Sequence, residues 1–135
     1  MTRLPRRRVR EPMMPERATQ REFPRHRKFI RSLECVCANI STLIRDAPGY
    51  WQNVWCGGRI ECCHLRLGSH APMSEKPHDW FCFPACAMHH QQAHRVGELT
   101  FQTAYGLDLR AIALGLARQS PDQDMRRIMR ERGIL

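Results

Sequence analysis

Residues 60–97 read IECCHLRLGSHAPMSEKPHDWFCFPACAMHHQQAHRVG, and this stretch decides how the chain is built. Residues 60–67 (IECCHLRL) are short, apolar and bounded by glycine, as a strand is. Residues 68–79 are polar and carry prolines, which makes them a loop. Residues 80–84 (WFCFP) form a second strand, expected to end at its proline. From Ala85 the spacing turns helical and closes at Gly97. Strand, loop, strand and helix in this order give an α+β domain whose cysteines and histidines crowd the strand-to-helix junction.

Cys86 and His89, three apart at the start of that helix, are half of a zinc site, because a strand-to-helix turn can aim two such ligands at one tetrahedral ion. The other half must come from upstream. Cys35 and Cys37 stand too close for an ordinary knuckle, whereas Cys56-Gly57-Gly58 looks like the exit of one, with glycine free to take positive φ. The preferred structural zinc set is therefore Cys35, Cys56, Cys86 and His89, with Cys37 in reserve. Cys62 and Cys82, at strand positions, are read as small buried side chains.

Other histidines are left over. His90 and His94 stand four apart on one helix face, a spacing that lets two imidazoles reach one ion. His64 lies on the first strand with Arg66 two residues on, and Asp79 just precedes the second strand. A strand histidine facing two helix histidines across a metal is what phosphodiester hydrolysis requires: one group takes a proton from water while the ion stabilises developing charge. His70 and His78 are assigned to the loop surface, and His26 to the tail.

Outward from this centre, residues 28–33 lead into Cys35, and residues 38–54 look like an insertion or long loop containing the turn signal Asp46-Ala47-Pro48-Gly49. Downstream, helices are expected over residues 98–105 and 109–118. Ser120-Pro121-Asp122 resembles the cap of a basic helix reaching Arg132. Of the formal net charge of +9, residues 1–31 carry +8, from 11 Lys and Arg against Glu11, Glu16 and Glu22. A basic, proline-bearing tail without apolar period cannot offset its ordering entropy, so residues 1–28 are expected to be disordered. No secretory h-region and no membrane-length apolar run is legible. The expectation is a cytoplasmic location with no membrane partner, where seven cysteines among seven histidines point to metal rather than disulfides.

The motif C-x2-H-H-x3-H at residues 86–94, with H-x-R upstream at 64–66 and E-K-P-H-D-W at 75–80, resembles the phage and prophage HNH-like nucleases of the Ref and YbcO kind. The likeness runs from about Cys35 to Pro121 and is densest between His64 and His94. It implies a small treble-clef, ββα-metal (HNH-like) domain over residues 29–121, with a zinc knuckle and a helical extension, followed by a C-terminal basic helix over 122–135. It further implies a metal-dependent endonuclease acting on DNA in a bacterial host or a phage-infected cell. On this resemblance His64 is the general base, and Asp79 takes the place of the central Asn. His90 and His94 hold a catalytic Mg2+, Mn2+ or Zn2+, and Arg66 and Lys76 contact phosphate. Cys63 stands where many such enzymes place a metal-binding Asp. The alternative is a non-catalytic treble-clef zinc module that binds nucleic acid or protein. A redox or metal-trafficking role is a distant third, since no C-x2-C stands at a helix start.

Overall fold

The computed structural model describes residues 22–40, 44–46, 50–52, 54–67 and 77–135. Its elements run α1 (Pro24–Arg31), β1 (Ile44–Asp46), β2 (Tyr50–Gln52), β3 (Ile60–His64), β4 (Cys82–Cys86), α2 (Ala87–Val96), α3 (Glu98–Tyr105), α4 (Leu109–Gln119) and α5 (Gln123–Glu131). The fold is a small α+β arrangement whose central hairpin is β3 and β4, antiparallel, with Ile60 opposite Cys86 and His64 opposite Cys82.

Pro84 does not end its strand as expected but sits in the middle of β4, opposite Cys62. The register explains why. Main-chain bonds from Leu65 N–H to Phe81 O (2.7 Å) and from Ala87 N–H to Arg59 O (3.0 Å) flank the hairpin and set its alternation. Cys62 and Pro84 fall in a non-hydrogen-bonded pair, so proline's missing N–H faces away from β3 and costs no ladder bond. Its carbonyl, on that outer side, accepts from Val36 N–H at 2.9 Å and ties the Cys35–Cys37 segment to β4.

Residues 38–54 are not simply a loop. β1 and β2 pair antiparallel, with Asp46 opposite Tyr50. The tail boundary at residue 28 also needs correction. Phe23 and His26 are buried, and α1 packs on β3 and β4. Phe23 stacks on Trp80 with ring centroids 5.5 Å apart, while His26 Nδ1 meets Ser120 Oγ at 2.8 Å. An aromatic and an imidazole with such partners are held in place whatever the charge around them. The rest of the expected disordered tail, residues 1–21, lies outside the described residues, as do Lys76 and His70.

Around the hairpin the helices close one core. α2 packs on both strands and α4 on β4. Phe83, Phe101 and Tyr105 form a chain of rings between β4 and α3. α5 is no separate basic piece: Met125, Ile128 and Met129 are buried in the same core, so only its other face carries the arginines. Asp108 and Asp122 cap α4 and α5 by accepting from Ala111 N–H and Met125 N–H. His78, expected at the loop surface, is half-buried and stacks on Trp80 at 4.0 Å.

Candidate metal centres

Among the described residues, three groups of side chains that could hold a metal ion surround the hairpin. The first is Cys35, Cys56, Cys86 and His89, whose ligand atoms all lie within 4.8 Å of one another. His89 Nδ1 lies 3.6 Å from Cys35 Sγ, 3.5 Å from Cys56 Sγ and 3.0 Å from Cys86 Sγ. Tetrahedral bonds of about 2.3 Å to sulfur and about 2.05 Å to nitrogen place S and N ligands about 3.6 Å apart. The observed spacing is close to that of a filled site.

The tautomer agrees. His89 Nε2 lies 3.0 Å from the Val54 carbonyl, which can only accept, so Nε2 carries the hydrogen and Nδ1 presents a lone pair to the three sulfurs. Cys86 doubles as the N-cap of α2, its sulfur accepting from His89 N–H. The Cys56-Gly57-Gly58 segment rests against this same helix end, with Met88 N–H bonded to Gly57 O. Gly58 has φ +79°, and a Cβ there would sit 2.7 Å from that of Ala87. Only glycine fits.

Cys37 settles into a supporting place. Its hydrogen bond to Cys35, then its burial, hold its thiol well above the usual range. The same hydrogen bond, assisted by main-chain N–H groups against the effect of burial, brings Cys35 down to about 4. Cys56 is pushed up to about 12, first by desolvation and then by the charges of Cys35 and Cys86. A divalent cation among these sulfurs would remove that repulsion, so the donor chemistry fits a metal ion.

The second group is Cys63, His90 and His94. The Nε2 atoms of the two histidines are 2.9 Å apart, against about 2.9–3.4 Å for neighbouring nitrogens on one ion. His90 Nδ1 meets Glu61 Oε1 at 3.2 Å, and since a carboxylate only accepts, His90 keeps its Nε2 lone pair. Glu61 did not emerge as a site residue from the sequence, and Cys63 did so only as the residue standing where the resemblance expects a metal-binding Asp. Their signal was the two-residue period of E-C-C-H, which puts both on one face of β3.

That alternation also corrects an expectation. His64 does not join His90 and His94 on the helix side of β3. It shares the other face with Cys62, and the third group is Cys62, His64 and Cys82. His64 Nε2 donates to Asp79 Oδ1 at 2.7 Å. Asp79 is buried; its Oδ2 accepts from Phe23 N–H at 2.6 Å and pairs with Arg27 Nε at 3.3 Å. Burial raises this carboxyl's pKa, but the hydrogen bonds from His64 and Phe23 and the charges of His64 and Arg27 bring it below 3.8. An ionised Asp79 fixes the hydrogen on Nε2 and leaves Nδ1 of His64 as acceptor.

His64, His90 and His94 nevertheless border one groove of about 790 Å3, also lined by Arg27, Arg31, Arg59 and Arg66. It runs beside β3, which among the described residues pairs with β4 alone. Glu98, another lining residue, accepts from Arg66 and Leu67 N–H (2.8 Å each), fixing the chain as it leaves β3. Comparison with protein-family models, with curated proteins and with solved structures gave no match. Among the described residues no helix is long and apolar enough to cross a membrane.

Proposed function

We propose that this chain is a metal-dependent endonuclease of the HNH type, hydrolysing phosphodiester bonds of DNA on a treble-clef, ββα-metal scaffold. The observation that carries this reading is the Asp79–His64 pair at the edge of a groove shared by two adjacent imidazoles and four arginines. A histidine whose Nε2–H is held by a buried carboxylate is a general base with its acceptor nitrogen defined in advance. Four guanidinium groups suit a polyanionic substrate.

Cys35, Cys56, Cys86 and His89 hold zinc, the ion that thiolate and imidazole ligands in tetrahedral spacing select. They anchor the start of α2 and thereby place His90 and His94. Those two histidines, with Cys63, hold the catalytic ion. Among Mg2+, Mn2+ and Zn2+, a sulfur donor favours zinc. When bound, the ion supplies charge stabilisation at the scissile phosphate and leaving oxygen. His64 takes the proton from the attacking water through Nδ1, Asp79 stabilises the resulting imidazolium, and Arg27, Arg31, Arg59 and Arg66 orient the phosphates. The basic N-terminal segment adds sequence-independent, salt-sensitive affinity.

One observation favours the second reading, a treble-clef zinc module binding nucleic acid or protein without cleavage: His64 and the His90–His94 pair belong to opposite faces of β3. Nicking of supercoiled plasmid with Mg2+, Mn2+ or Zn2+ separates the two. The expected result is cleavage by the parent and at least about 100-fold less by His64→Ala with its structural zinc retained. DNA binding without cleavage in any of the three ions would assign the chain to the second reading.

A further inference from the structure

We propose that Cys62, His64 and Cys82 form a separate site for a soft divalent metal ion, and that an ion held there takes His64 out of use as a base. Their ligand atoms lie within 4.8 Å of one another. The register makes this grouping a property of the hairpin. His64 is directly opposite Cys82, and Cys62, two residues earlier, projects from the same face. A tetrahedral ion with two sulfurs and one nitrogen needs ligand separations of about 3.6–3.8 Å.

The surroundings complete the coordination chemistry. Asp79 occupies Nε2 of His64, and a metal-bound histidine ordinarily gives its other ring N–H to a carboxylate. Cys82 is fully buried, whereas Cys62 and His64 border the groove. The donor set is thus two thiols, which a bound ion would take as thiolates, and an oriented imidazole, with the fourth position open to water from the groove. Neither the Cys35–Cys56–Cys86–His89 centre nor the Cys63–His90–His94 group shares a ligand with it. Coordination through Nδ1 and proton acceptance through Nδ1 exclude each other. Only this last consequence rests on the nuclease reading; the metal site stands on its own donors.

The test is addition of Co2+ to the full chain holding one equivalent of zinc, enough for the Cys35–Cys56–Cys86–His89 centre alone, reading thiolate-to-cobalt charge-transfer absorption and the cobalt retained after gel filtration. The parent is expected to retain one more cobalt per chain than Cys62→Ser or Cys82→Ala, and each variant to lose most of the charge-transfer band. Zinc content reports that each variant has kept its fold, and the half-buried Cys62 position tolerates serine where the buried Cys82 position is more demanding. Equal cobalt and an unchanged band in a zinc-retaining Cys62→Ser protein would overturn the proposal. Loss of the band in Cys62→Ser supports the site even if no form of the protein cleaves DNA, which would refute the nuclease reading alone.

Discussion

Replacing Asp79 with Asn should damage both stability and chemistry, by separable amounts. The carboxylate accepts from His64 at 2.7 Å and from Phe23 N–H at 2.6 Å, and pairs with Arg27 at 3.3 Å, while only 1% exposed. Hydrogen bonds to a charged group contribute about 1.5–3 kcal/mol each. An amide of the same shape keeps one acceptor but turns an NH2 toward the other donor, so the net loss is about 2 kcal/mol. For a domain of this size that lowers Tm by roughly 10 °C, measurable by calorimetry. The difference has a defined pH dependence. The folded pKa of Asp79 is depressed, so its contribution is fully present above the ordinary carboxylate value near 3.8 and is lost as pH falls through the folded value. The parent's advantage over Asp79→Asn should therefore shrink in acid. If the amide oxygen keeps Phe23 N–H, its NH2 faces His64 Nε2 and reverses the imidazole tautomer, placing the hydrogen on Nδ1 where the base must accept. Cleavage, assayed well below the variant's Tm, should fall by about 10²-fold or more. A variant melting within about 2 °C of the parent at neutral pH, or cleaving at the parent's rate, would refute the role given to this carboxylate.

Burial, partly offset by the charges of Asp79 and Asp122, lowers the His26 pKa from 6.5 to about 4. The unfolded state therefore binds more protons between those values, and stability should drop by about 3 kcal/mol as pH falls through that window. Chemical denaturation against pH should show this slope in the parent and lose it in His26→Gln. Deleting residues 1–21 removes a charge of +5 (seven arginines less Glu11 and Glu16) and should leave the Tm near the parent's, with weaker DNA binding and a shallower salt dependence. Deletion through residue 27 also removes the buried Phe23 and His26, and should unfold the domain by circular dichroism. Stripping metal with a chelator, or replacing Cys86 with Ser, should abolish cooperative unfolding, because the four ligands join three separate segments around a small core. An unchanged melting curve in either case would remove the structural ion.

What the sequence made legible was what local spacing encodes. C-x2-H at a strand-to-helix turn located Cys86 and His89, and the double glycine after Cys56 selected that cysteine over Cys37 as their partner beside Cys35. Gly97, Gly106 and Asp122 marked helix ends as they stand in the structure. What failed was what depends on tertiary partners. Pro84 reads as a strand end until the register shows its missing N–H facing away from β3. Phe23 and His26 sit in a basic, proline-flanked run, and nothing in that run announces Trp80 and Ser120 as neighbours. The placing of His64 fails for a related reason. A strand histidine facing two helix histidines is expected on the helix side, but the two-residue period of β3 gives that side to Glu61 and Cys63 and leaves His64 to border the same groove from the other face. Cys62 and Cys82 look like small apolar residues one at a time, and become a ligand pair only when His64 is paired opposite Cys82.

In the proposed nuclease the labour is divided, with His64 moving the proton and His90 and His94 holding the ion. The rate of plasmid nicking as a function of activating-metal concentration, for the parent, His64→Ala and His90→Ala, separates the two roles. The expected result is a His64→Ala curve with the parent's midpoint and a plateau at least about 100-fold lower, beside a His90→Ala curve whose midpoint moves to much higher metal. A shifted midpoint for His64→Ala with its plateau intact, or a His90→Ala curve superimposed on the parent's, would contradict it.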